Sequence, residues 1–229
     1  MAKNETKDMT TGNPFKIILG FSIPLLFGML FQQFYSMADT IIVGKYLGVD
    51  SLAAVGSTSS INFMIIGFCM GICNGFAIPV AQKFGASDYK LLRKYVANSA
   101  WLSIIISAIM TVIVCVFCRD ILVLMRTPEN IIDGAYDYIF VIFLGIPVTF
   151  LYNLLAGIIR SLGDSKTPLI FLIISSVINV ILGLYLIIFV HMGVEGSALA
   201  TVISQGISGV CCLISVSYTH LRAHETTLH

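Results

Sequence analysis

Apolar residues in this chain come in long unbroken runs, without the alternating or one-faced patterns of water-exposed strands and helices. Six runs are long enough to cross a hydrocarbon core of about 30 Å, which takes about 20 helical residues. They predict spans at approximately 15–47, 52–84, 92–118, 136–159, 168–190 and 196–216. Short polar joints separate them, at Gly85 to Lys94, at Arg119-Asp120 with Arg126 to Asn130, and at Arg160 to Pro168. The expected fold is an all-α polytopic membrane protein. Residues 1–14 form a polar amino-terminal tail, 15–216 a six-helix membrane lobe, and 217–229 a tail that breaks the pattern.

Composition makes lipid the solvent. Hydrophobic residues are 57% of the chain and charged residues 11%, against about 25% charged in soluble domains. A net charge of +1 leaves no basic footprint for nucleic acid. With the amino terminus inside, Lys3, Lys7, Lys16, Lys83, Lys90, Arg93, Lys94, Arg160 and Lys166 share one side. Lys45, Arg119 and Arg126 occupy the other, and nine against three follows the positive-inside rule. The expected location is the cell's inner or plasma membrane, multi-pass, with a cytoplasmic amino terminus and no secretory signal before the first span.

The six cysteines all lie in apolar runs. Cys115 and Cys118 have CxxC spacing, but no second pair stands at zinc-ribbon spacing, so packing is expected. His220 and His224 are one helical turn apart in the tail, and His229 falls one residue beyond the HExxH pattern. The tail resembles a translated sequencing-adapter read-through and is read as non-native or disordered. There is no P-loop, no GxSxG and no in-span histidine, so no enzyme and no cofactor are expected.

In lipid the informative residues are polar ones inside spans, because they are costly there. Asp39 is the most conspicuous, since the apolar run continues past it to Leu47. A straight helix from Ile17 to Leu47 is roughly 45 Å long at 1.5 Å per residue. The span must therefore tilt, kink or project, and Pro24 offers a kink point. Gln32, Ser36 and Asp39 share one face, with Tyr35 a turn before the acid and Gln33 beside Gln32. The stripe suits an aqueous cavity or, alternatively, an interfacial carboxylate among headgroups. The fifth span carries Ser175, Ser176 and Asn179, and the sixth Ser197, Thr201, Ser204, Gln205 and Ser208. Cavity lining and interhelical hydrogen bonding both suit these residues. The doubled GxxxG of Gly67, Gly71 and Gly75 predicts close helix contact, and Pro79 and Pro147 predict kinks.

Several motifs then agree in order. Asp39 to Gly48 followed by Leu52 to Gly56, the Arg160-Ser-Leu-Gly-Asp-Ser-Lys-Thr-Pro168 joint, and Asn179 with Gly193 to Gln205 resemble the MATE family, the multidrug and toxic compound extrusion transporters. The similarity runs from about Pro14 to Val216. It implies one lobe of a twelve-helix, two-lobe transporter, with a second six-helix lobe as its missing partner. It also implies outward antiport of amphipathic, often cationic drug-like molecules against H+ or Na+. Carried over by motif, Asp39 would be the coupling carboxylate, with Asn179 and Thr201 as polar neighbours. Gln32, Gln33, Tyr35, Ser36, Ser176 and Gln205 would line the cavity. Many members place a second aspartate where this chain has Gly183, which leaves one carboxylate to hold a hard cation. No metal is expected beyond Na+ at Asp39. The rival readings are a lipid-linked oligosaccharide flippase of the same superfamily, a non-transporting scaffold, and a fragment without activity. The absence of Lys or Arg well inside a span argues against the flippase.

Overall fold

A computed structural model describes residues 13–217, and the regular structure among them is entirely helical. Asn13 starts the first helix by accepting a hydrogen bond from the Phe15 N–H at 3.0 Å, with Pro14 in the first turn. Both are favoured at a helix start. Helix α1 (Pro14–Leu47) then runs 34 residues through Pro24, about 50 Å of helix. A single residue, Gly48, joins it to α2 (Val49–Gly85) at φ 89°, a conformation that favours glycine. Asp88 accepts from the Leu91 N–H at 3.1 Å and caps α3 (Tyr89–Val116). The short α4 (Cys118–Leu124) follows, and the exposed Arg119–Asp133 ion pair connects it to α5 (Ile132–Leu144).

The fourth span is a pair of helices, α5 and α6 (Ile146–Ser161), bent by 46° across Gly145. Pro147 lacks the N–H a straight helix would use. Gly145 lets α8 (Val194–Val216) come close, since a Cβ there would lie 2.4 Å from Val202 Cγ2. Five single helices are long and apolar enough to cross a membrane, and the bent pair supplies a sixth span. Before α7 (Lys166–Ile188), Gly163 takes φ 87° and Asp164 accepts from the Lys166 and Thr167 N–H groups at 3.0 Å each. The Thr167 hydroxyl donates to the same carboxylate at 2.6 Å. The family-like joint is therefore a helix cap first of all.

Helix α8 packs along both α6 and α7, α2 flanks α6, and α1 lies against α7. The main core joins α2 to α6 through Cys69, Cys73, Cys118, Ile139, Phe143 and Phe150, all buried. Cys73, Cys118 and Cys212 are packing groups in these interfaces, and all six cysteines are free thiols. Outward faces carry large apolar side chains, including Phe15, Phe63, Trp101 and Leu124, as a lipid-facing surface requires.

The doubled GxxxG makes no close contact. An added Cβ at Gly67, Gly71 or Gly75 meets nothing within 4 Å. Cys69 and Cys73 point into the core, and the glycines, two positions away, fall about 200° round the helix. Close approach occurs instead at Gly44, Gly145, Gly196 and Gly209. The tail after Ser217, with its three histidines, lies outside the described residues, as do Lys3 and Lys7.

Candidate ion and substrate site

Helix α8 supplies the frame of the site. Ser197, Thr201 and Gln205 recur every fourth residue on it, and each meets a different helix. The Ser197 hydroxyl donates to Asp39 Oδ1 of α1 at 2.5 Å. Asn179 Nδ2 of α7 donates to Thr201 Oγ1 at 3.0 Å, and Thr149 Oγ1 of α6 donates to Gln205 Oε1 at 2.8 Å. Two further bonds tie the lower half of α8 to α7, from Ser175 to the Ser204 carbonyl and from Ser208 to the Phe171 carbonyl. The serines of spans five and six thus act mainly in helix association, as small polar residues in lipid can.

Asp39 is buried, 8% exposed, in the C-terminal half of α1, and only Ile42 and Val43 of that helix are buried with it. Its burial inside the lobe keeps it from the surface that headgroups would touch. Its direct partner is Ser197, and no hydrogen bond joins it to Asn179 or Thr201. Thr201 connects the two groups, because it lines the same cavity as Asp39 and binds Asn179. That cavity measures about 440 Å³, a size suited to a small organic molecule. Gln32, Gln33, Tyr35, Ser36 and Gln205 line it, and Tyr138 adds an aromatic wall within electrostatic reach of Asp39. A smaller recess of about 40 Å³ continues from it past Tyr35 and Gln205 to Tyr152, Asn153, Ser176 and Asn179. The structure thus divides the sequence-derived residues between two connected cavities.

Four residues of this site went unrecognised in the sequence. Thr149 and Asn153 stand one turn apart in span four, a polar spacing inside an apolar run that was a usable signal. Tyr138 and Asn62 gave none. Arg160 is also placed differently: it belongs to the last turn of α6, half-buried, with Cys73, Tyr152 and Cys212 as electrostatic neighbours. It stands at the end of the fourth span, and no Lys or Arg lies well inside a span among the described residues.

A coupling ion would meet a mixed set of oxygen donors here. Asn179 Oδ1 is buried without a hydrogen-bond partner among the described residues, an electron-rich oxygen suited to a cation. Gly183 faces Ala200 of α8, with 3.8 Å between an added Cβ and the alanine methyl, and contributes no oxygen. The set is one carboxylate, one amide oxygen and hydroxyls.

Comparison with known proteins places this arrangement. The MatE family model matches residues 24–186. The chain is 38% identical over 208 residues to a probable multidrug resistance protein of Bacillus subtilis strain 168, YoeA, covering 89% of this chain and 44% of that protein. A second from the same organism, YpnP, is 32% identical, with coverage of 88% and 45%. An outward-facing multidrug resistance MATE family transporter of the MOP superfamily superposes with a TM-score of 0.87 at 26% identity, over 97% of this chain and 49% of that one. The chain spans about half the length of the relatives it matches, the extent of one six-helix lobe. The family match, the relatives and the superposed fold agree: the chain belongs to the MatE family of multidrug and toxic compound extrusion transporters.

Proposed function

We propose that this lobe serves a secondary active exporter, which moves amphipathic and often cationic molecules outward in exchange for H+ or Na+. The observation that carries the reading is Asp39, a buried carboxylate on the wall of a drug-sized cavity, bound to a different helix through Ser197. The charged carboxylate attracts a cationic compound and holds α1 against α8 through a charge-assisted hydrogen bond, worth about 1.5–3 kcal/mol. Neutralising it from outside removes both effects. The compound leaves, and α1 is free to repack as the lobes exchange states. Coupling follows because ion and compound prefer different states of the same helix pair.

Asp39, Thr201 and the Asn179 carbonyl oxygen are the groups that would hold the ion. The amino terminus and the joints at Lys83 to Lys94 and Arg160 to Lys166 are assigned to the cytoplasmic side. In cells expressing the transporter, Asp39→Asn should abolish ion-driven ethidium efflux with membrane abundance unchanged. Undiminished efflux by that variant would refute the assignment.

A further inference from the structure

The inner end of the cavity carries a charge that the coupling reading does not use. Residues 149, 153, 157 and 160 form one stripe down α6, facing the lobe interior. Thr149 and Asn153 line the cavities, Gly157 is buried against α2, and Arg160 ends the stripe. An Arg160 guanidinium nitrogen lies 4.0 Å from where a Cβ of Gly157 would stand, so the side chain folds back along α6.

Three helices agree on the depth of that guanidinium. The recess lining reaches Met70 of α2, Asn153 of α6 and Ser208 of α8. The electrostatic neighbours of Arg160 are Cys73 and Cys212, each one turn further along α2 and α8, and Tyr152 itself. The nitrogen beside Gly157 lies four residues past Asn153, so the cation stands about 6 Å beyond the recess lining, one helical turn. It makes no ion pair and no side-chain hydrogen bond among the described residues, and all three neighbours are neutral groups. A half-buried guanidinium with five donors and no acceptor calls for an anion.

We propose that Arg160, beyond the recess that Tyr152 and Asn153 line, forms an anion-recognising end to the cavity that takes a carboxylate or phosphate substituent of the transported compound. The proposal rests on the reading of the cavity as the compound-binding site. It gives that site two poles: Asp39 toward the outside, and Arg160 roughly 20 Å inward, counted along α6 and α8 at 1.5 Å per residue. Compounds carrying an anionic group at one end are then favoured over esters of the same skeleton.

A matched dye pair tests this. The purified chain, in neutral phosphatidylcholine nanodiscs, is titrated with a rhodamine ethyl ester, which is cationic, and with its hydrolysed free acid, which is zwitterionic. Arg160→Gln should weaken binding of the acid by about tenfold or more and leave the ester within about threefold, the loss of one charge-assisted contact. Arg160→Lys, which keeps the charge, should recover part of the acid affinity and also controls for folding. Equal weakening of both dyes would make Arg160 a packing residue and overturn the proposal, as would no change in either. Loss of the discrimination when phosphatidylglycerol replaces the neutral lipid would give the site to a lipid phosphate, and would also overturn it. Failure of the wild type to bind either dye would remove the underlying cavity reading as well.

Discussion

Replacing Gly145 by alanine should break the contact that seats the bent fourth span on α8. The glycine has φ −77°, so the backbone accepts any residue and the effect is purely steric. The new methyl would lie 2.4 Å from Val202 Cγ2 and 3.1 Å from Val202 Cγ1. Rotating the valine cannot clear it, because both of its methyls are too close and a helical valine is held to one rotamer. The backbone must therefore open, at an overpacking cost of about 1–3 kcal/mol. In a chain of this length each kcal/mol moves the melting temperature by about 2–4 °C, which gives a fall of about 2–12 °C. The assay is thermal unfolding of detergent-purified protein, followed by helical circular dichroism. The control is a double-mutant cycle with Val202→Ala, which removes both offending methyls and should restore stability relative to the sum of the single changes. An unchanged melting temperature in Gly145→Ala, or additive effects with Val202→Ala, would refute the steric argument. One turn beyond the bend, Thr149 binds Gln205, so the same variant should also weaken dye binding in the cavity.

Two other outcomes follow from the structure. Ser197→Ala leaves the buried Asp39 carboxylate without its hydroxyl donor and should cost about 1.5–3 kcal/mol, read in the same melting assay; a variant as stable as wild type would show that the bond contributes nothing. A reporter inserted at Asp88–Lys90 should read as cytoplasmic, and a periplasmic signal would invert the topology drawn from the charge count.

The spans were legible because lipid imposes one rule, and runs of about 20 apolar residues satisfy it without any knowledge of packing. Asp39 stood out for the same reason, as a carboxylate where none is cheap. Its partner did not. A serine in a helix can always bond its own preceding turn, as Ser107 does to the Ile104 carbonyl and Ser176 to the Leu172 carbonyl. Nothing local separates these from Ser197, whose acceptor lies 158 residues away in sequence. The GxxxG motif misled because it records which residues are small and not whether a neighbour faces them. Arg160 was ambiguous in a similar way. A long cation at a span end can reach out to headgroups or fold back into the protein, and here it folds back beside Gly157.

The one-residue joint at Gly48 has a mechanical consequence. It leaves no slack between α1 and α2, so the C-terminal end of α1 acts as a pivot and the helix as a lever. Asp39 stands about 14 Å from that pivot and Pro24 about 36 Å, at 1.5 Å per residue. An angular change that shifts the carboxylate by about 1 Å, enough to break its bond to Ser197, carries the helix at Pro24 through about 2.6 Å. Proximity of Asp39 to the pivot turns a single broken hydrogen bond into a displacement on the scale of a side chain deep in the membrane.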